Sequence, residues 1–169
     1  MPENPAPKKL IIGWFSFTCC EDSTILFTEL LNKNFDTWKK LVEFRHVHSL
    51  KTNNRLEGLD VAFVEGAISS PKQAKEVKTI RDNSKYVVAI GSCACTGKPS
   101  SSRNEFSTDK ITEKIQWYLS HFDYSAKVQK LDEVIKVDDL VPGCPMNVTI
   151  FTEILTKYLK LMNVVDSSA

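Results

Sequence analysis

Four cysteines in three places, each just beyond an apolar run, constrain this chain more than any other feature. Cys19 and Cys20 follow K-L-I-I-G-W-F-S-F, Cys93 follows Y-V-V-A-I-G-S, and Cys144 sits in V-P-G-C-P. Short, continuous apolar runs of this kind read as buried strands. Thiols at the ends of such strands can be gathered only by a fold that lines those ends along one edge. Four thiolates in one place are what a [4Fe–4S] cluster requires, because soft sulfur suits iron. Electron transfer is therefore the first functional expectation, ahead of small-molecule catalysis.

The remaining pattern alternates strands with helices. Lys9 to Phe17 reads as the first strand, and Asp22 or Ser23 can cap a helix carrying Ile25, Leu26, Leu30 and Leu31. Lys40 to His48 is a second strand, and Asp60 to Val64 a third that ends at Glu65-Gly66. Ser70, Pro71 and Gln73 stand at capping-box spacing and open a helix that runs to about Asn83. Tyr86 to Ile90 is the next strand, and Thr96 to Ser107, rich in Ser, Gly and Pro, reads as a long loop. Asp109 to Phe122 is helical, with Ile111, Ile115, Tyr118, Leu119 and Phe122 near one face. Leu131 to Val141 is a short strand or extended connection, and Val148 to Met162 a closing amphipathic helix. This alternation predicts an α/β fold, a flavodoxin-like doubly wound parallel sheet in a single domain over 9–165, after a disordered arm at 1–8. In such sheets ligands sit outside the carboxyl ends of the strands, where Cys19, Cys20, Glu65 and Cys93 fall.

Bulk properties narrow the partners. The 169 residues suit one domain, with 22 basic against 21 acidic side chains, so no field favours nucleic acid or an anionic membrane. No apolar stretch approaches the roughly 20 residues that span a bilayer. Neither an export signal nor a twin-arginine pair is readable, so the cytoplasm is the expected compartment. There, five cysteines point to metal or redox chemistry rather than structural disulfides.

Zinc is the generic alternative for four cysteines, although the chain lacks the usual pair of C-x2–4-C knuckles. Gly91, Gly97 and Gly143 flank the cysteines where a chain wrapping a cluster must turn tightly, and Pro142 and Pro145 stiffen the last turn. Cys95 reads as a small core residue or free thiol. His46 and His48 share a strand face without a nearby third ligand and read as packing residues; His121 is isolated. There is no G-x-G-x-x-G or Walker loop, so nucleotide binding is unsupported, and a flavin has only the fold class in its favour. Arg103 and Asn104 mark the long loop as a candidate partner contact or a plain solvent loop.

V-E-G-A-I-S-S at 64–70, G-S-C-A-C-T-G at 91–97 and P-G-C-P at 142–145, in that order, resemble the small, electron-transfer subunit of [NiFe] hydrogenases and the related 20-kDa subunit of complex I. The resemblance covers nearly the whole chain. It implies that Cys93 and Cys144 bind a proximal [4Fe–4S] cluster and that Cys95 is spare. The usual hydrogenase C-x-x-C is missing: with Cys20 as its first cysteine, the second falls on Ser23. The tandem Cys19-Cys20 instead looks like the adjacent pair of the complex I subunit, so both are assigned as ligands, with Ser23 an oxygen-ligand alternative. Glu65 in V-E-G is similar to hydrogenase small subunits. It is either a hydrogen-bonded carboxylate at a strand end or a group for proton movement and cluster tuning.

No cysteine follows Cys144, so the resemblance implies one cluster and no others. The expected function is the electron-transfer small subunit of a cytoplasmic [NiFe] hydrogenase. Its partners would be the large subunit and a further electron-transfer or diaphorase-type subunit, without a direct membrane span. The runner-up is a complex I-like cluster subunit. The alternative of another class is a zinc or thiol-redox binding module.

Overall fold

The computed structural model describes residues 8–106 and 113–166. Among them, strands β1 (Leu10–Ser16), β2 (Val42–Val47), β3 (Leu59–Glu65), β4 (Ser84–Ile90) and β5 (Asp139–Val141) form one sheet in the order β2-β1-β3-β4-β5. Every pairing is parallel. The chain moves from β1 outward to β2 and then from β3 outward the other way, so the topological switch lies between β1 and β3. The α/β, doubly wound architecture expected from the alternation is the one found.

Side-chain alternation divides the core into two layers. Ile12 and Trp14 of β1, Val61 and Phe63 of β3, and Val88 and Ile90 of β4 face helices α1 (Asp22–Leu41) and α5 (Val148–Leu161). Trp14 stacks on Phe27 of α1 with ring centroids 4.2 Å apart, and Phe151 of α5 meets it edge-on. Phe15, Ala62, Val64, Val87 and Ala89 face the other way, onto Val77 and Ile80 of α2 (Pro71–Asp82). All seven residues of β3 are buried, as its position between two strands and two helical layers requires.

Several details differ from the sequence expectations. Helix α1 runs to Leu41 and passes directly into β2, so the second strand is shorter than Lys40 to His48. Neither Asp22 nor Ser23 caps it: the N-cap position is Glu21, at φ 63°, with no side-chain hydrogen bond of its own. For α2 the Ser70 hydroxyl accepts from Gln73 N as expected, but the Gln73 side chain accepts from Ser69 N, one residue earlier than a capping box places it. The expected long loop begins inside α3 (Gly91–Thr96) and continues as a 3-10 helix at Ser100–Glu105. Leu131 to Val141 contains a 3-10 turn and the three-residue β5.

The expected arm at 1–8 lies outside the described residues apart from Lys8, and so does the start of the helix expected from Asp109. Its described part, α4 (Glu113–His121), buries no residue, and Trp117, Tyr118 and Phe122 are exposed. Among the described residues no helix is long and apolar enough to cross a membrane.

Candidate metal centre

The carboxyl ends of β1, β3, β4 and β5 meet around one small cleft. Cys19, Cys20, Cys93 and Cys144 all line it, with Ser23, Glu65, Gly91 and Gly143 between them. Cys95 does not: its thiol turns under the sheet, donates to Ala89 O at 3.5 Å, and packs with the layer facing α2.

Each cysteine is set by a different device. Cys19 and Cys20 occupy the turn between β1 and α1, which Thr18 ties to Ala67 by a two-way backbone pairing. The Cys19 thiol donates weakly to Phe17 O at 3.7 Å. Cys93 lies in α3, is buried, and its sulfur accepts from the Ser100 hydroxyl at 3.3 Å, a hydroxyl that also reaches Thr18 O at 3.0 Å. Cys144 rides the tight turn after β5. There Gly143 has φ 117°, and a Cβ on it would stand 2.6 Å from Pro145 O, so only glycine fits. Gly143 O in turn accepts from Ser92 N at 2.7 Å, joining the Cys144 turn to the Cys93 helix.

Ser23 is a bridge in this arrangement. Its buried hydroxyl accepts from Met146 N at 3.2 Å, which ties the start of α1 to the P-G-C-P turn. Glu65, also buried, accepts from Ser23 N at 3.1 Å, from Thr24 N at 3.0 Å and from the Thr24 hydroxyl at 2.7 Å. It thereby supplies the cap that α1 lacks locally, meeting N–H groups that a helix start otherwise leaves unpaired. Thr24 and Ser100 belong to none of the motifs that mark the site in the sequence. The Ser23-Thr24 pair just after two cysteines, at a helix start, was the readable sign of the first.

Burial and then the Glu65 carboxylate push the Cys19 thiol up to about 12, with smaller contributions from neighbouring Cys93 and Glu21. The Asp22 backbone N–H favours the Cys20 thiolate, but the Asp22 side chain, burial and nearby Cys144 outweigh it, and the net direction is again upward. Both shifts favour the protonated thiol. Cys19 packs against the small cluster of Ala67, Cys93 and Val128. Among the described residues no three Cys, His, Asp or Glu side chains close on a single point as one ion would require.

The other sequence candidates lie elsewhere. Arg103 donates to Ser125 O and Ala126 O, and Asn104 exchanges two hydrogen bonds with Val128, so both face inward and anchor the 3-10 segment. His46 is buried with its ring stacked on Phe15 and its Nδ1 without a hydrogen-bond partner among the described residues; burial, then His48 and Lys51, lower its pKa. His48 meets it edge-on, and His121 stacks on Trp117.

Comparison with known proteins gives a consistent set of relatives. A family model described as NADH ubiquinone oxidoreductase, 20 Kd subunit, matches residues 19–158. A subunit of the F420-non-reducing hydrogenase of Methanothermobacter marburgensis is 25% identical, across 90% of this chain and 54% of that protein. NAD-reducing hydrogenase HoxS subunit delta of Cupriavidus necator is 24% identical, across 81% of this chain and 72% of that one. The chain spans about half the length of the Methanothermobacter proteins it matches. A chain of a crystal structure of NAD+-reducing [NiFe]-hydrogenase in the H2-reduced state shares the fold, with a TM-score of 0.77 at 20% identity over 90% of this chain and 92% of that one.

Proposed function

The chain belongs to the NADH ubiquinone oxidoreductase 20 Kd subunit family, which is of the iron–sulfur-binding hydrogenase and complex I subunit type; from that premise we propose that it is the electron-transfer subunit of a cytoplasmic [NiFe] hydrogenase. One observation carries the reading: four thiols from three separate strand ends line a single cleft at the carboxyl edge of the sheet. The donor set suits one [4Fe–4S] cluster held by Cys19, Cys20, Cys93 and Cys144, since all four are sulfur and all line the same cleft. In this reading Ser23 takes a bridging role, its hydroxyl accepting from Met146 N.

When bound, the cluster supplies one-electron relay. The chain's own residues hold and insulate it. The Ser100 hydroxyl reaches the Cys93 sulfur, and such hydrogen bonds raise a cluster's potential. The buried Glu65 carboxylate contributes the opposite sign of field. Cys20 and Cys144 are the exposed pair and Cys93 the buried one, so the cleft opens on the Cys20–Cys144 side. That side is where a partner with the nickel–iron centre would approach, with a diaphorase-type subunit as the further electron partner.

The test is anaerobic purification with metal and acid-labile sulfide analysis. About four iron and four sulfide per chain, an EPR signal on reduction, and copurification with a nickel-containing subunit that reduces dye with hydrogen are the expected results. Stoichiometric zinc without sulfide overturns the cluster.

The tandem Cys19-Cys20 favours a second reading, a complex I-like cluster subunit, because both members line the cleft where hydrogenases of the family use C-x-x-C. Association with a quinone-reducing partner and no nickel in the complex would select it.

A further inference from the structure

Glu65 lies at the end of β3, 3% exposed, and among the described residues none of the ion pairs involves it. A buried carboxylate without a cation is expensive unless dipoles hold it. Here they do: the Ser23 and Thr24 N–H groups and the Thr24 hydroxyl all donate to it, and the Thr24 oxygen also accepts from Trp14 Nε1 at 2.8 Å. The helix it caps is the one whose first turn follows Cys19 and Cys20.

From Ser23 the connection continues. Its hydroxyl holds Met146 N, the Cys144 turn holds Ser92 N through Gly143 O, and Ser92 precedes Cys93. On the other side Phe17 N donates to Glu65 O at 2.8 Å, closing the path through β1 to the Cys19-Cys20 turn. All three cysteine-bearing segments thus hang on one hydrogen-bonded ring with a single anion in it. Were Glu65 merely a solvated strand-end carboxylate, it would point to water and its loss would leave the ring intact.

We propose that Glu65 is the positioning residue of the cysteine cleft: by capping α1 from across the sheet it fixes the three thiol-bearing segments in register, and its charge takes up the positive helix end that would otherwise face the bound group. The second part rests on the cluster reading above; the first does not. Glutamine has the length to accept from one N–H but turns an amide toward the other, and alanine leaves all three donors unmet. The two substitutions therefore separate shape from charge.

The experiment uses the full chain, as wild type, Glu65→Gln and Glu65→Ala, reconstituted anaerobically with iron and sulfide. Glu65→Ala should hold its iron about 10- to 100-fold less tightly against a chelator, as losses of groups behind metal ligands do. Glu65→Gln should retain more iron than Glu65→Ala and shift the EPR-monitored midpoint potential upward, a change that a purely structural role would not produce. Amide exchange of Ser23, Thr24 and Met146 in the metal-free chain should quicken in Glu65→Ala. Unchanged exchange at these three amides overturns the positioning role. Faster exchange with an unmoved potential in Glu65→Gln overturns the charge role. A wild-type chain that takes up no iron sinks the cluster reading instead, and the positioning role is then decided by the exchange alone.

Discussion

Strand β3 carries a buried carboxylate near each end, and the two are held in opposite ways. Asp60, at the amino end, accepts from Ile11 N at 2.9 Å and from Lys85 Nζ at 2.8 Å, and that ammonium is open to water. Glu65, at the carboxyl end, has N–H and O–H donors and, among the described residues, no cation, and it lines the cleft with the four thiols. One carboxylate is neutralised locally and stitches β1, β3 and β4 together. The other keeps its charge where three loops converge. The same strand therefore has a stability end and a chemistry end, as parallel sheets with sites at their carboxyl edge lead one to expect.

The largest break in this comparison should come from a thiol. Cys93→Ala at the carboxyl edge is expected to lower cluster content from about four iron per chain to below one. Its metal-free melting midpoint should move little, because a small buried side chain is replaced by a smaller one. Loss of fold by circular dichroism, rather than loss of iron, would show that Cys93 matters for packing instead. Gly143→Ala comes next. The added Cβ meets Pro145 O in a turn at φ 117°, so it should cost about 1–3 kcal/mol and reduce cluster content in step. A stable variant with full iron would mean that the Cys144 turn is not set by that glycine.

Much of the carboxyl edge was legible in the sequence because its signals are local. Cysteines directly after apolar runs, V-E-G, and glycine–proline turns each occupy a few consecutive residues, and the parallel sheet follows from alternation alone. What links them was not legible. Glu65 reaches Ser23 and Thr24 across 42 and 41 positions, and Ser23 reaches Met146 across 123, so no window of sequence contains either contact. For the same reason the cap of α1 was assigned to Asp22 or Ser23, the nearest side chains with the right chemistry, when the donor groups are met from another strand. The 3-10 segment at Ser100–Glu105 was hidden by loop-like composition. Its anchors, Arg103 and Asn104, look like surface contacts until Ser125 to Val128 folds beside them.

At the amino end the comparison sharpens through Asp60→Asn. An amide there leaves Ile11 N with a weaker acceptor and Lys85 without its partner, at a cost of about 1–2 kcal/mol, or a few degrees in melting midpoint. Iron content should be unchanged, because nothing at that end touches the cleft. A fall in iron would mean that strain at the amino end of β3 propagates along it, and the division of labour within the strand would be wrong.

The smallest effect should come from Asp138, just before β5, which is held as Asp60 is rather than as Glu65 is. Burial alone would raise its carboxyl, but Val87 N at 2.8 Å and the Arg81 guanidinium at 2.6 Å, helped by Lys136, outweigh it and hold the pKa below the ordinary carboxylate value. A carboxyl depressed in the folded chain contributes stability above its unfolded pKa, near 4, and loses it as pH falls through the lower folded value. Asp138→Asn should therefore be the less stable chain at neutral pH, by on the order of one or two degrees in melting midpoint, with the gap closing below about pH 4. Melting curves of the metal-free chain between neutral pH and that acid limb measure it directly. A gap that stays constant with pH would assign the loss to the shape of the amide rather than to the carboxylate's charge, and would detach Asp138 from the class of locally neutralised anions to which Asp60 belongs.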